Sequence, residues 1–268
     1  NMTKAWTKAE MEAAAAAAAA AARGEVRVPK DCKTLKEAVG RVHNDVWLTT
    51  IVVGKGVHQL WDYYLKMSSA MNIVGDPDVP KETIVVQGGV SFEVGIQGNC
   101  HLQHMTLREA IGNGVYGGSS FTMEDVLVEQ CGGNGVWAYG TGVVGRCTNV
   151  EVRKCKLSGV FATGGGFITL IGTKTTVHHN CTQGRSYAYG LKVHRSRSSS
   201  TIQLVFPLTK EQVSSDNGGG GNWSAERGGD INKIKTIAAT TTTSSSSSSV
   251  AFAASPVHVG ETKSNHFD

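Results

Sequence analysis

A phrase of eight residues, written four times between residues 107 and 184, constrains the fold more than any other feature of this sequence. Each copy begins with an apolar anchor residue and places a glycine seven positions later. Successive copies begin 21, 24 and 25 residues apart. Repeats of this length are typical of solenoids, whose units bury a hydrophobic face only by stacking on their neighbours. The copies run from Leu107 to Gly114, Val128 to Gly135, Val152 to Gly159 and Val177 to Gly184.

The composition on either side of the repeat divides the chain into four parts. Residues 1–24 contain ten consecutive alanines without an apolar face, so we expect an exposed helix or a frayed extension. Short apolar runs separated by glycine-rich turns predict a parallel β-solenoid over residues 25–205. Residues 206–237 are predicted to form an irregular C-terminal cap that ends in one strand within Ile231–Ile237. The threonine- and serine-rich residues 238–268 are expected to be disordered, because they offer little apolar surface to offset chain entropy.

One amphipathic helix is predicted in front of the first coil, at about residues 33–43. Apolar residues stand there at Leu35, Ala38, Val39 and Val42, which is the spacing of a single helix face. An uncovered solenoid end would expose strand edges and bare core. We therefore expect this helix to cap the N-terminal end.

Six short segments carry a family resemblance: the first belongs to the predicted capping helix, and the others are strands with their turns. They are Lys33–Val39, Thr50–His58, Met71–Gly75, Thr83–Gly88, Asp125–Cys131 and Asn149–Cys155. Together they resemble right-handed parallel β-helix proteins of the pectin-lyase-like superfamily, over about residues 26–205. The resemblance implies an all-β fold, a right-handed parallel β-helix with an N-terminal α-helical cap and an irregular C-terminal cap. It says little about function, because one fold serves many functions.

Several classes of function are disfavoured by composition. The net charge of +4 is not gathered into a basic run, and no zinc-knuckle, P-loop or RNA-recognition pattern is present, so we do not expect a nucleic-acid partner. No apolar run approaches the roughly 20 residues of a membrane span. No secretory-signal pattern is visible, and the sequence assigns no compartment. The six cysteines lack metal-ligand spacing, and Cys131 and Cys155 share one repeat position, which predicts small core residues.

The enzymes of the superfamily use clusters of acidic residues, and this sequence offers none that we recognise. Asp125 is the single aspartate between Ile84 and Phe206. Because adjacent strand residues point to opposite faces, Glu124 and Asp125 are not expected to flank one glycosidic bond. No catalytic residue is therefore assigned. A lyase or glycoside hydrolase with an atypical site stays the alternative, and a lyase would draw on Arg185, Lys192 or Arg195.

The remaining charged residues of the repeat have a structural explanation. The position after each anchor is occupied by Arg108, Glu129, Arg153 and His178, which predicts alternating charges up the outside of the stack. We expect Glu129 and Arg153 to be solvated neighbours. His178 and His179 are expected to face solvent, and neither a metal nor a cofactor is predicted.

Aromatic residues recur two positions after the first three repeat glycines, and in the fourth copy an aromatic follows after an insertion; these residues form the candidate ligand-binding surface. If the intervening valines point inward, these rings point outward and form a strip along the solenoid axis. Such a strip suits flat sugar rings or a protein partner, although stacked aromatics also stabilise one another. We therefore expect a non-enzymatic binding or scaffold module that recognises polysaccharide or protein. The residues are Tyr116, Trp137, Phe161 and Tyr187, flanked by Tyr139 and Tyr189.

Overall fold

The computed structural model describes residues 24–194, 199–226 and 231–239, and it shows a right-handed parallel β-helix, as the sequence predicts. Most of the alanine-rich extension and of the C-terminal tail lies outside these residues. All strand pairs in the described part are parallel, as expected for coils stacked one on the next. The strands are β1 Glu25–Val28, β2 Thr50–Val53, β3 Gly56–Met67, β4 Asn72–Gly75, β5 Ile84–Phe92, β6 Cys100–Arg108, β7 Val115–Gly117, β8 Phe121–Glu129, β9 Val136–Tyr139, β10 Val144–Thr148, β11 Glu151–Arg153, β12 Val160–Thr163, β13 Phe167–Ile171, β14 Thr176–His178, β15 Leu191–His194, β16 Thr201–Val205, β17 Ser214–Ser215, β18 Trp223–Glu226 and β19 Ile234–Ile237.

Three sheets run along the solenoid, and the long strands bend from one sheet into the next. The first sheet contains β1, β2, β4, the starts of β6 and β8, β10, β13, β16 and β19. The second contains the starts of β3 and β5, the ends of β6 and β8, β11, β14 and β17. The third contains the ends of β3 and β5, β7, β9, β12, β15 and β18.

The repeat anchors form one column of the core. Leu107 pairs with Val128, Val128 with Val152, and Val152 with Val177, and all four side chains are fully buried. Burying a side chain of this size stabilises the fold by about 1.5–3 kcal/mol. Cys131 and Cys155 are also buried, and their thiols are free, as predicted from their shared repeat position.

The repeat glycines are required by contact with the next coil. A Cβ atom on Gly135 would lie 2.2 Å from Val152 Cγ1 and 2.7 Å from the Gly159 carbonyl oxygen. Gly114 and Gly159 meet the next anchor at 2.4 Å in the same way. The space that a side chain at the glycine position would need is therefore filled by the anchor side chain of the following coil.

The fourth copy of the repeat departs from the predicted register. The backbone N–H of Val160 donates to the carbonyl of Gly190, and a Cβ on Gly159 would meet that same carbonyl. Gly190, not Gly184, is thus the column glycine of this coil. Gly184 has a φ of +67° and lies in open space, in a loop that the sequence pattern had not separated from the coil.

Side chains before the column glycines form a polar ladder inside the turn. Asn113 Oδ1 accepts hydrogen bonds from the backbone and side-chain N–H groups of Asn134, at 2.9 and 3.0 Å. Asn134 Oδ1 accepts in turn from the backbone N–H of Ser158, at 3.0 Å. At the N-terminal side, the Tyr64 hydroxyl accepts from Asn113. The ladder satisfies turn N–H groups that would otherwise be buried without partners.

Helix α1, Leu35–Asn44, lies against β1, β2 and β3. It begins after Thr34, whose hydroxyl accepts from the backbone N–H of Glu37 at 3.1 Å. Its buried face consists of Leu35, Ala38, Val39 and Val42, which join the solenoid core.

Strand pairing continues past residue 205, where the sequence predicted an irregular cap with a single strand at its end; that strand corresponds to β19. The strands β17, β18 and β19 extend the second, third and first sheets in turn, and helix α2, Lys210–Val213, stands between β16 and β17. The apolar periodicity does not indicate this continuation, because the strands are short and the residues between them are polar.

Replacing Gly135 by alanine is expected to destabilise the protein by about 1–3 kcal/mol, because the new methyl group overlaps Val152 Cγ1. Urea unfolding at neutral pH measures the change. Gly40 is the matched control, since it lies in α1 with open space around it, and Gly40→Ala is expected to stabilise by about 0.5–1 kcal/mol. Equal effects of the two substitutions would contradict the proposed role of the column glycines.

Candidate binding surface

An outward row of the third sheet brings together three of the predicted binding residues. Tyr116 pairs with Trp137, and Trp137 pairs with Phe161, one coil apart at each step. The rings of Tyr116 and Trp137 meet edge to face at 5.2 Å between centroids. Those of Trp137 and Phe161 stack at 5.6 Å with an interplanar angle of 19°. The row follows from alternation, because Val115, Val136 and Val160 fill the inward positions.

Tyr139 extends this row sideways. Its ring centroid lies 5.9 Å from that of Trp137 and 6.5 Å from that of Tyr116. The side chain is 46% exposed, so one edge of the cluster faces solvent. Tyr116, Trp137, Tyr139 and Phe161 are called the aromatic row below.

The next place in the row belongs to Lys192, not to Tyr187 as the sequence alignment predicted. Lys192 pairs with Phe161 in the sheet, and its Nζ lies 5.0 Å from the centroid of the Phe161 ring. The same ammonium lies 5.3 Å from the centroid of Tyr187 and donates to the Tyr187 carbonyl. Tyr187 therefore sits beside the row, in the loop before β15, and is 49% exposed.

Tyr189 occupies a different environment. Its ring lies against Gly220 in the C-terminal part of the fold, where a Cβ atom would be only 2.3 Å from the ring. The residue is half-buried, and its backbone N–H donates to the Ser158 hydroxyl in the turn ladder. The sequence placed Tyr139 and Tyr189 in equivalent positions, but the register after Gly184 separates them.

The indole N–H of Trp137 is buried, and no residue that the structure describes accepts a hydrogen bond from it. A buried donor without a partner costs about 1–3 kcal/mol, so this atom is an uncommon feature of the row. Burial raises the pKa of the neighbouring Tyr116 hydroxyl, with smaller contributions from Tyr139 and Tyr64. The Tyr116 phenol is consequently neutral at neutral pH.

The charged column of the second sheet is confirmed, but it is less solvated than predicted. Glu129 receives hydrogen bonds from Arg108 Nε at 2.6 Å and from Arg153 Nε at 2.9 Å. Arg153 also forms an ion pair with Glu151. The Glu151 carboxylate lies 3.2 Å from His178 Nε2. Glu129 is only 4% exposed, because the two arginine side chains of the adjacent coils lie over it.

These contacts give Glu129 a structural role. Burial alone would raise the pKa of the Glu129 carboxyl, but the two guanidinium groups outweigh it and lower that pKa. A carboxylate held ionised between two arginines is a poor proton donor, so it does not serve as the acid of a glycosidase.

Asp125 belongs to a cluster that the sequence analysis did not find. Its two oxygens contact Lys81 Nζ at 2.6 Å and His104 Nδ1 at 2.7 Å, while His104 Nε2 lies 2.9 Å from the Val79 carbonyl oxygen. The signal was present in part: His104 and Asp125 are 21 residues apart, the shortest repeat period, and both have positive φ at the corner between the first and second sheets. Lys81 comes from a 3-10 turn that carries no repeat pattern.

The adjacent residues His178 and His179, for which no metal was predicted, contact each other. His178 Nδ1 and His179 Nδ1 are 2.7 Å apart, and among the described residues no group of three metal-ligating side chains is found. Three basic residues were considered for a lyase. Arg185 is exposed, and Lys192 donates a hydrogen bond to the Tyr187 carbonyl, whereas Arg195 lies outside the described residues.

The fold and this surface define a parallel β-helix with an aromatic row on one of its three sheets. Comparisons with protein-family models, curated proteins and solved structures found no match to the chain. The pectin-lyase-like resemblance therefore rests on the sequence segments alone, whereas the β-helix rests on the strand pairing. Within the part of the chain described, no helix has the length and apolarity to cross a membrane.

Glu129→Gln is expected to lower the free energy of unfolding by about 1–3 kcal/mol at neutral pH, because two charge-assisted hydrogen bonds are weakened. The lowered pKa means that the folded state favours the ionised form, so this stabilisation is present above the usual glutamate pKa of about 4.3 and is lost as the pH falls through the lowered value. Urea unfolding from neutral to acidic pH should show a shallower acid limb in the variant. An unchanged acid limb would contradict the pairing.

The His104 cluster is expected to weaken as the pH rises. Partial burial would lower the pKa of His104, but the Val79 carbonyl and the Asp125 carboxylate accept from its two ring N–H groups and raise that pKa. The stabilisation is therefore complete below the usual histidine pKa of about 6.5 and is lost as the pH rises through the raised value. His104→Asn, which suits the φ of 53° at this position, removes the titration.

The free energy of unfolding of the parent protein should thus approach that of His104→Asn as the pH increases above neutrality. His43→Asn is the control, since that histidine lies on α1 and bonds to serine hydroxyls outside the cluster. A pH-independent difference between the parent and His104→Asn would contradict the assignment.

Proposed function

We propose that this protein is a non-enzymatic binding module whose aromatic row binds a polysaccharide chain along the solenoid axis. The observation that carries the proposal is the in-register contact of Tyr116, Trp137 and Phe161, bordered by the partly exposed rings of Tyr139 and Tyr187. Flat aromatic faces suit sugar rings, whose C–H groups pack on them while their hydroxyls stay hydrated.

The spacing of the row supports an extended, repetitive ligand. Neighbouring coils are about 4.8 Å apart, so each coil offers an aromatic group at a regular interval. The backbone ladders fix these positions before a ligand arrives, and a preorganised surface loses little conformational entropy on binding.

The carboxylates near the second sheet argue against glycoside hydrolysis. The reaction needs two carboxyl groups across one bond, with one of them able to donate a proton. Glu129 is covered by two arginines, and Asp125 is shared between Lys81 and His104. Both groups are therefore committed to internal pairs. A lyase or hydrolase with an atypical site remains the alternative activity that the experiment below tests.

A protein partner is the second candidate for the same surface. Tryptophan and tyrosine are enriched at the centres of protein interfaces, and the Tyr139 side chain of the row is 46% exposed. The regular spacing along one axis favours the polysaccharide.

Trp137→Ala is expected to reduce the affinity for a binding polysaccharide at least about tenfold, because it removes the central ring of the row. Tyr139→Ala is a milder variant that leaves the core intact, and it should weaken binding about three- to tenfold. Phe206→Ala is the control, an exposed aromatic outside the row. Affinity electrophoresis and calorimetry with soluble glucans, xylans, mannans and polygalacturonate measure the effect.

Three outcomes decide the proposal. Binding that the row variants weaken, without loss of chain length in the polysaccharide, supports a binding module. Shortening of the polysaccharide by the parent protein would establish the enzymatic alternative. Absence of binding to all of the polysaccharides would contradict the proposal and favour the protein partner.

A further inference from the structure

A second aromatic site is built by a wide bulge in β3. Gln59 pairs with Gln87 and Tyr64 pairs with Gly89, so residues 60–63 stand opposite the single residue Gly88. Gly88 has a φ of +145°, and a Cβ atom there would lie 2.8 Å from Leu60 Cβ. The absence of a side chain on Gly88 thus gives Leu60 its place and lets the rest of the bulge project outward.

The bulge and the beginning of α1 line an open cavity of about 570 Å³. This volume lies in the range of small-ligand sites, roughly 300–1,000 Å³. Its wall combines aromatic rings with a few polar groups. Trp61 is 86% exposed although it lines the cavity, so nothing within the described part of the chain covers it. The principal lining residues are Lys36, Gln59, Trp61, Asp62, Tyr63 and Lys66.

Two residues of the cavity wall contact the turn that precedes β7, the strand that carries Tyr116. Tyr64 bonds to Asn113 in the turn that precedes β7, and the Tyr63 ring lies against Gly112 of the same turn. Lys66 begins the outward row that continues through Ser91 to Tyr116. From the end of β3 to β15 there are six rungs of the third sheet, a length of roughly 24 Å at 4.8 Å per step.

The charges along this surface are already paired. Lys36 contacts Asp62 at 2.6 Å, and Lys66 lies 4.0 Å from Glu93. Lys192 donates to the Tyr187 carbonyl and lies over two aromatic rings. A polyanionic chain would have to compete with these internal partners, whereas hydroxyl groups can hydrogen-bond to the paired charges without separating them. The surface therefore matches a neutral ligand better than an acidic one.

We propose that the cavity beside α1 binds the end of a neutral polysaccharide chain whose following units lie along the aromatic row. This inference rests on the proposed function. It adds a subsite for the end of the polysaccharide chain and specifies that the polysaccharide is uncharged. Trp61 and Tyr63 would hold the terminal sugar, with Gln59 and Asp62 within the same cavity to bond its hydroxyls.

The test uses calorimetry with neutral β-1,4-linked glucose, xylose and mannose oligosaccharides, from disaccharide to hexasaccharide, and with galacturonate oligosaccharides of matched length. Trp61→Ala is expected to lower the affinity for the longest binding neutral oligosaccharide about tenfold and to reduce the gain in affinity with chain length. Because Trp61 is highly exposed, its loss should leave the fold unchanged. Trp47→Ala is the matched control, a tryptophan that is 80% exposed and outside the cavity lining.

The outcomes separate this inference from the proposed function. If Trp137→Ala weakens binding but Trp61→Ala equals the Trp47→Ala control at every length, the terminal subsite is wrong and the aromatic row stands. Tighter binding of the galacturonate series than of the neutral series would overturn the charge class. Binding that depends on Trp61 but not on Trp137 would overturn the continuity of the two sites and the proposed function. Absence of binding to every oligosaccharide would overturn both proposals.

Discussion

The close contact between each column glycine and the anchor of the following coil is the constraint on which the rest of the structure depends. Gly135 leaves space for Val152, and Gly159 leaves space for Val177. Since this pair recurs at Gly114, Gly135 and Gly159, the regular coils can stack at strand spacing without a gap in the core. The turn ladder of Asn113 and Asn134 is compatible with this stacking because each side chain bonds to the next coil. The core packing, the turn hydrogen bonds and the coil spacing therefore depend on one another.

Because the coils stack in register, residues at the same outward position of successive coils lie in one row. On the third sheet it aligns Tyr116, Trp137 and Phe161, and on the second it places Glu129 between two arginines. The two rows differ in consequence. Charged groups of opposite sign satisfy one another and become an internal part of the wall, whereas aromatic rings stack and still present edges to solvent. This difference is why the aromatic row, and not the charged column, is the candidate surface.

The sequence predicted those parts of the structure that depend on the repeat. The stacking of the anchors, the inward cysteines and the alternating charges all follow from one period, and the structure confirms them. An insertion in the fourth copy was predicted, but Gly190 was not recognised as the column glycine, because Gly184 imitates the repeat glycine at the right spacing. The β3 bulge and the Lys81 contact to Asp125 were missed for a related reason, since both come from segments without a repeat. Burial of Glu129 depends on the conformations of two arginines, which spacing does not encode.

A row of nearly equivalent contacts binds an extended chain but does not fix its position, because the chain can shift by one unit and find similar contacts. Multiple weak contacts raise the affinity with ligand length, yet they leave the register of the ligand undefined. The bulge of β3 breaks this equivalence at one end, where Trp61 and Tyr63 form a site that differs in shape and chemistry from the row. A ligand end held there would set the position of every following unit. On the binding proposal made above, the irregular coil would supply the specificity that the regular coils cannot provide.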